Sequence, residues 1–220
     1  MQPAVLVAHT AIGPQDQFIT DALQALAQEG YAAFALDLFG AGHTVLGEEK
    51  QQYNAELQQQ RNLIAERALA ALDLVKGFPG VDTERIAAIG YCLGGKCVLD
   101  LLRAAAPDAL RAVVSFHGIL DGVAVKGAQQ RPQARVVAFH GHEDPFATNA
   151  GMIAFAAEME QRQVDYEVRL MGANVLHAFM RPDKTRSEDE RAGLQYHATV
   201  SERAWADTVC ILRDAMAAPK

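Results

Sequence analysis

One short segment of the chain combines a cysteine with closely spaced glycines. Its sequence, Gly90-Tyr91-Cys92-Leu93-Gly94-Gly95, follows an apolar run that resembles a strand and precedes one that resembles a helix. A Gly-x-Cys-x-Gly turn at this place fits the nucleophile-elbow pattern, with Cys instead of Ser. The positive end of the helix would favour a Cys92 thiolate, and the amide of Leu93 would point at a developing oxyanion. We expect Gly95 to leave the helix start open to a substrate. A buried structural cysteine is the alternative interpretation.

Two further residues could complete a catalytic triad with Cys92. Asp144 comes just after one predicted strand, and His177 comes after the next. His177 would take the thiol proton and later activate water, while Asp144 would hold the imidazole in the required tautomer. Taken singly, Asp144 could instead cap a helix, and His177 could be an ordinary loop histidine. The chain order of nucleophile, acid and histidine is the order of an α/β-hydrolase.

Apolar runs typical of strands alternate with helical patterns along the chain. Strands are predicted near residues 4–8, 31–38, 86–89, 112–116, 134–139 and 164–170. The helices between them include one long polar helix over about 48–76 and one over about 149–162, with Met152, Ile153, Phe155 and Met159 inward. A loop rich in Gly and Gln is expected between the fourth and fifth strands, and segment 183–195 is expected to be irregular. A last helix is predicted over 200–216.

The alternation of these elements predicts an α/β fold, namely a mostly parallel sheet with helices on both faces. In such sheets the chemical groups gather in loops at the carboxyl ends of the strands. Cys92, His117, Asp144 and His177 all lie there in the predicted arrangement. His117, which ends a neighbouring strand, is therefore a candidate to line the substrate pocket.

Composition and charge are consistent with one domain over residues 1–220. The chain is 50% hydrophobic and 21% charged, which allows a full core. Its net charge of −7 disfavours a nucleic-acid or anionic-membrane partner, and no apolar run reaches the roughly 18 residues of a transmembrane helix. The amino terminus lacks the basic region and cleavage site of a secretion signal. Cys92, Cys97 and Cys210 show no pairing pattern, so a reducing cytoplasm is predicted. We expect a monomer or a small homo-oligomer.

Metal and dinucleotide sites are the other possibilities that residue types suggest. His140, His142 and Glu143 could join Asp144 and His177 as zinc ligands. Alternate residues of an extended segment point to opposite sides, however, and no His-Glu-x-x-His helix is present. No Gly-x-Gly-x-x-Gly motif follows a strand either. We therefore predict no metal and no cofactor.

The elbow segment, Asp144-Pro145, the segment His177-Ala178-Phe179 and the closing Ala204-Trp205 together resemble the dienelactone hydrolases. The resemblance covers nearly the whole chain, and the elbow with Cys is its most specific part. It implies an α/β-hydrolase fold with a Cys-His-Asp triad of Cys92, His177 and Asp144, and no cofactor. It also implies an oxyanion hole made by the amides of Leu93 and Ala11. The archetypal members open an unsaturated lactone that bears a carboxylate.

Two positions in this chain bear on the substrate that the resemblance implies. Thr10 stands where the archetypal enzyme has a glutamate that contacts the resting cysteine, so we expect that thiol-holding switch to be absent. Arg181, four residues after His177, matches an arginine that binds the substrate carboxylate, and Arg61 is a candidate for a second one. Thr10, Arg181 and His117 are thus the candidate substrate-binding residues.

Together these features predict a hydrolase that opens a small activated ester or lactone through a cysteine acyl-enzyme. A thioesterase or another acyl-transfer enzyme is one alternative, because the same three residues would serve it. A non-catalytic small-molecule or redox-sensing protein that keeps the elbow is the other.

Overall fold

Six strands form one parallel sheet, in the order β2-β1-β3-β4-β5-β6. The computed structural model describes residues 1–105, 108–122 and 131–217. The predicted Gly- and Gln-rich loop falls partly on 123–130, outside the described residues. The prediction of a parallel sheet in an α/β fold is confirmed. The strands are β1 (Gln2–Ala8), β2 (Ala32–Leu36), β3 (Val81–Tyr91), β4 (Ala112–Phe116), β5 (Arg135–Gly141) and β6 (Asp165–Met171).

Helices cover both faces of this sheet, because each face of a buried parallel sheet is apolar and must be covered. One buried cluster joins the sheet to side chains such as Leu57, Ile64, Leu101 and Phe155. The other joins it to Ile19, Leu26, Ile211 and Leu212. Within the described residues, no helix combines the length and apolarity needed to cross a membrane. The helices are α1 (Gln17–Gln28), α2 (Gly47–Gln59), α3 (Leu63–Lys76), α4 (Leu93–Ala104), α5 (Asn149–Gln161), α6 (Ser187–Arg191) and α7 (Ala198–Ala215).

Three local predictions are wrong. The helix over 48–76 is two helices, because Gln60 leaves helical geometry (φ −116°, ψ 64°) and its carbonyl accepts the Leu63 N–H at 2.9 Å in a turn. Segment 183–195 contains the short helix α6. Ile153 is 71% exposed, because it lies about 100° around α5 from the stripe that Met152, Phe155 and Met159 form.

Helix α4, which follows the cysteine, is held by a buried ionic network. The guanidinium of Arg103 donates to Asp100 at 3.0 Å and to the two carboxylate oxygens of Glu158 at 2.9 and 2.7 Å. Arg61, in the turn between α2 and α3, also pairs with Asp100. Because buried charges are costly unless they are paired, the network ties α4 to α5 and to the α2–α3 turn.

Candidate active site

Cys92 occupies a tight turn between β3 and α4, with φ 57° and ψ −113°. A positive φ is unfavourable for a residue with a side chain, and here the surrounding packing maintains it. The Cys92 N–H donates to the Phe116 carbonyl at 3.0 Å. A Cβ atom at Gly90 would collide with the Gly94 carbonyl, and one at Gly94 would collide with the Ala8 carbonyl. The glycines therefore allow the strand and the helix to cross closely enough to present the thiol.

Gly95 has a different role from the one expected. The prediction that it leaves the helix start open to a substrate is wrong. A Cβ atom at Gly95 would lie 2.6 Å from the Ser115 Oγ and 2.8 Å from the Gly118 Cα. Gly95 is small because α4 packs directly against the segment that follows β4.

The structure brings Asp144 and His177 together in the loops after β5 and β6. His177 Nδ1 lies 2.7 Å from Asp144 Oδ2. The other oxygen of Asp144 accepts the Phe146 N–H at 2.8 Å, so the same carboxylate also stabilises its own turn. Backbone hydrogen bonds from His177 to Gly193 and from Gln195 to His177, at 3.1 and 2.9 Å, hold the histidine in place.

The charges of Cys92 and His177 stabilise each other. Burial alone would raise the pKa of the Cys92 thiol, but the hydrogen bond and charge of His177 and the Leu93 N–H lower it below its usual value. Burial would likewise lower the pKa of His177, yet hydrogen bonds with Asp144 and Cys92 raise it to about 10. This arrangement favours a thiolate–imidazolium pair, the activated form of a cysteine nucleophile.

A cavity of about 270 Å³ opens beside the Cys92 thiol. Four residues predicted from sequence to surround the substrate line it, namely Ala11, Thr10, His117 and Arg181. Leu93 contributes its N–H to the thiol from the first turn of α4. The full lining is Thr10, Ala11, Ile12, Lys50, Cys92, His117, Ile119, Phe146, His177, Ala178, Arg181, Lys184 and Leu194.

His117 is fully buried and packs edge-to-face against His177, with ring centroids 4.8 Å apart. Phe146 packs on His177 as well, at 5.0 Å. Burial, followed by the nearby charges of His177 and Arg181, holds the pKa of His117 well below its usual value. The His117 ring is therefore neutral, and it places a second imidazole beside His177 without a second charge.

The guanidinium of Arg181 is buried and already paired with carboxylates. It pairs with Asp16 and donates to both oxygens of Asp183, at 2.8 and 3.1 Å. It also donates to the Thr10 hydroxyl at 3.1 Å. Arg61, the other candidate arginine, pairs with Asp100 and is not among the residues of the cavity wall. Neither arginine offers the cavity an uncompensated charge.

Two cations of the cavity wall were missed by sequence reasoning, Lys50 and Lys184. Lys184 lies near Asp183 and Asp189, at 3.1 and 3.5 Å. Among the described residues, no carboxylate lies within ion-pair distance of Lys50. Lys50 sits in the glutamine-rich segment of α2, where nothing in the local sequence marks it. Phe146 also lines the cavity. It could have been predicted to do so, because it is a large apolar residue two positions after Asp144 in the same loop.

Four of the five residues considered as metal ligands, all except His142, are engaged in other hydrogen bonds. His140 Nε2 lies 3.1 Å from the Ala147 carbonyl, and Glu143 accepts the Asn174 N–H at 2.9 Å. Asp144 is engaged with His177. In the part of the chain that the structure describes, no three His, Cys, Asp or Glu side chains are grouped as a metal site would require.

Comparison with known proteins identifies the chain's relatives. A family model described as "Dienelactone hydrolase family" matches residues 1–216. A probable 2-oxo-3-(5-oxofuran-2-ylidene)propanoate lactonase of Bradyrhizobium sp is 28% identical, over 96% of this chain and 83% of that protein. An uncharacterised protein of Caenorhabditis elegans is 32% identical over 69% of this chain and 93% of its own length.

Solved structures agree with these matches. A protein designated m3DLH is 32% identical with a TM-score of 0.88, over 98% of this chain and 88% of that one. A dienelactone hydrolase-like promiscuous phosphotriesterase from metagenomic libraries is 31% identical with a TM-score of 0.86, over 97% of this chain and 87% of that one. The protein is accordingly a hydrolase of esters or lactones. The chain belongs to the dienelactone hydrolase family, within the α/β-hydrolase superfamily.

Proposed function

We propose that this hydrolase opens a small enol lactone or activated ester that bears a carboxylate, through a covalent thioester on Cys92. The observation that carries the proposal is the coupled arrangement of Cys92, His177 and Asp144 beside the cavity. Leu93 and Ala11 are the proposed oxyanion donors. No cofactor takes part in the proposed reaction.

The proposed reaction has two steps. The Cys92 thiolate attacks the carbonyl carbon, a C–S bond forms and the C–O bond breaks, while the His177 imidazolium gives its proton to the leaving oxygen. Water then attacks the thioester, His177 takes the proton of that water, and the C–S bond breaks to restore the thiolate. Asp144 keeps the imidazole oriented in both steps.

Two observations support a small anionic substrate. The cavity, at about 270 Å³, is slightly below the range of about 300–1,000 Å³ usual for ligand sites. Lys50 offers its wall a cation, and because the charge of Arg181 is compensated by Asp16 and Asp183, we assign the carboxylate contact to Lys50. The Bradyrhizobium relative is named for a lactone of this kind, an oxofuranylidene propanoate.

Activity on phosphotriesters is a second candidate, favoured by the 31% identical relative that is described as a promiscuous phosphotriesterase. Cys92 would attack phosphorus, the aryloxide would leave, and water would then cleave the S–P bond. The same oxyanion donors would face the phosphoryl oxygen.

The cysteine mechanism is tested by intact mass after mixing with activated esters, enol lactones and an aryl phosphotriester. We expect an acyl or phosphoryl adduct on Cys92, and we expect Cys92→Ala to abolish turnover while the circular dichroism spectrum is unchanged. Cys210→Ala removes an exposed thiol and serves as the matched control with full activity. Wild-type turnover in Cys92→Ala, or an adduct elsewhere, would contradict the proposal. An added thiol acceptor in the same assay distinguishes hydrolysis from acyl transfer.

The location that suits such an enzyme is a reducing compartment such as the cytoplasm. Cys92, Cys97 and Cys210 are all free thiols, and the proposed nucleophile acts only when reduced.

A further inference from the structure

Another buried histidine lies next to the proposed oxyanion hole and uses both of its ring nitrogens. His9 follows β1 and is 0% exposed. Its Nε2 accepts the Leu38 N–H at 2.9 Å, whereas the nearest Asp37 oxygen is farther away, at 3.7 Å. An Nε2 that accepts carries no proton, so in the neutral ring the proton is on Nδ1. Nδ1 therefore donates to the Thr10 carbonyl, which lies 2.5 Å away.

This hydrogen bond helps to fix the orientation of the peptide group between Thr10 and Ala11. The Gly13 N–H donates to the same carbonyl over a longer distance, 3.4 Å. The group is planar and trans, so the Thr10 C=O and the Ala11 N–H point in opposite directions. Holding the carbonyl against His9 turns the Ala11 N–H away from the His9 ring. Ala11 and Cys92 line the same cavity, which is where an oxyanion donor is required.

The His9 ring and the loop that it holds have little freedom to move. The Phe39 ring packs on the imidazole, with centroids 4.7 Å apart. A Cβ atom at Gly94 would lie 2.6 Å from the His9 carbonyl oxygen, so the turn that carries Cys92 packs directly against the backbone of His9. From the cavity side, Arg181 binds the Thr10 hydroxyl at 3.1 Å.

We propose that His9 is a positioning residue, which holds the Thr10–Ala11 peptide so that the Ala11 N–H faces the oxyanion formed at Cys92. The inference rests on the proposed function and adds to it a residue that never touches the substrate. Through Leu38, His9 also ties the oxyanion donor to the segment that follows β2. The loss of one oxyanion donor lowers kcat by about 100- to 1,000-fold, so a donor that is misplaced but present should lower it by about 10- to 100-fold.

A matched pair of variants separates the two hydrogen bonds of His9. The amide nitrogen of Asn lies near the position of Nδ1, so His9→Asn keeps a donor for the Thr10 carbonyl. The amide of Gln reaches toward the position of Nε2, so His9→Gln keeps a partner for Leu38 and loses the donor to Thr10. We expect His9→Gln to lower the acylation rate constant about 10- to 100-fold with KM nearly unchanged, and His9→Asn to keep most of it.

Alkylation of Cys92 by iodoacetamide is the control for a general structural defect. Such a defect would change the alkylation rate, whereas a misplaced oxyanion donor would not. This reaction displaces iodide at a saturated carbon and forms no oxyanion, so we expect equal alkylation rates and pH profiles in the wild type and both variants. Equal loss of ester acylation in both variants, loss of alkylation together with acylation, or wild-type acylation in His9→Gln would each overturn the proposal.

One measurement on the wild-type protein needs no variant to fold. Nitrogen-15 NMR of labelled histidines should show His9 with a protonated Nδ1 and a bare Nε2, and a proton on Nε2 would overturn the proposal. Failure of the proposed function would be seen separately, as a wild-type enzyme that forms no Cys92 adduct.

Discussion

At the scale of single residues, the proposed reactivity of Cys92 depends on its partner, His177. Burial would raise the pKa of the thiol, but His177 and the Leu93 N–H lower it below the usual value, and the pKa of His177 is raised to about 10. As the pH falls through the lowered pKa of Cys92, the thiolate is protonated and acylation should be lost. As the pH rises through about 10, His177 loses the proton that the leaving group needs. The ion pair, and with it acylation, should therefore persist between these limits.

This prediction is checked by the ultraviolet absorbance of the thiolate during a pH titration. We expect one thiolate to appear at a pH below the usual cysteine pKa of about 8.5, and we expect this signal to be missing from Cys92→Ala. His177→Asn removes the imidazolium, so the same absorbance step should move to higher pH. A step that is unchanged in His177→Asn would show that His177 does not activate the thiol.

At the scale of helices and strands, the sequence predicted those elements whose signal is local. The strands were found because buried parallel strands are continuous apolar runs. The candidate triad residues could be named because each of them follows a strand, namely β3, β5 or β6. The break at Gln60 was missed because no Gly or Pro marks it, and the ion pair between Arg61 and Asp100 joins residues far apart in sequence. Contacts of this kind depend on the tertiary fold, so they cannot be predicted from local propensities.

The position of helix α2 beside the cavity likewise could not be predicted from its local sequence. Its glutamine-rich sequence suggests a solvated surface, yet the fold places Lys50 in the cavity wall. If Lys50 binds a substrate carboxylate, Lys50→Gln should raise KM about 10-fold for an enol lactone that bears a carboxylate, because it removes a charged hydrogen bond. Hydrolysis of a neutral aryl ester should change little.

The kinetic comparison of anionic and neutral substrates measures this effect. Lys76→Gln, at the end of α3 and outside the cavity wall, is the control for a general change in surface charge. An equal rise of KM for both substrates would indicate that α2 has been displaced, and an unchanged KM for the anionic lactone would remove Lys50 from the site.

At the scale of the whole molecule, the active site depends on the integrity of the entire sheet. The proposed catalytic residues follow β3, β5 and β6, and the proposed oxyanion donor Ala11 follows β1. Both hydrophobic clusters contain residues of the same strands, with alternate side chains on opposite faces. Loss of the helices on one face would expose apolar side chains of the same strands that the helices on the other face still cover. We therefore propose that residues 1–220 form one cooperative domain.

Unfolding in urea should therefore be a single transition. Trp205, the one tryptophan of the chain, lies on α7 and packs against the cluster on one face, so its fluorescence reports that face alone. Far-ultraviolet circular dichroism reports the helices of both faces. We expect the two signals, and the loss of esterase activity, to share one midpoint, because coincident transitions by different probes are the mark of two-state unfolding. A tryptophan transition at lower urea than the loss of helix would instead show that α7 separates first, leaving a sheet whose other face is still covered.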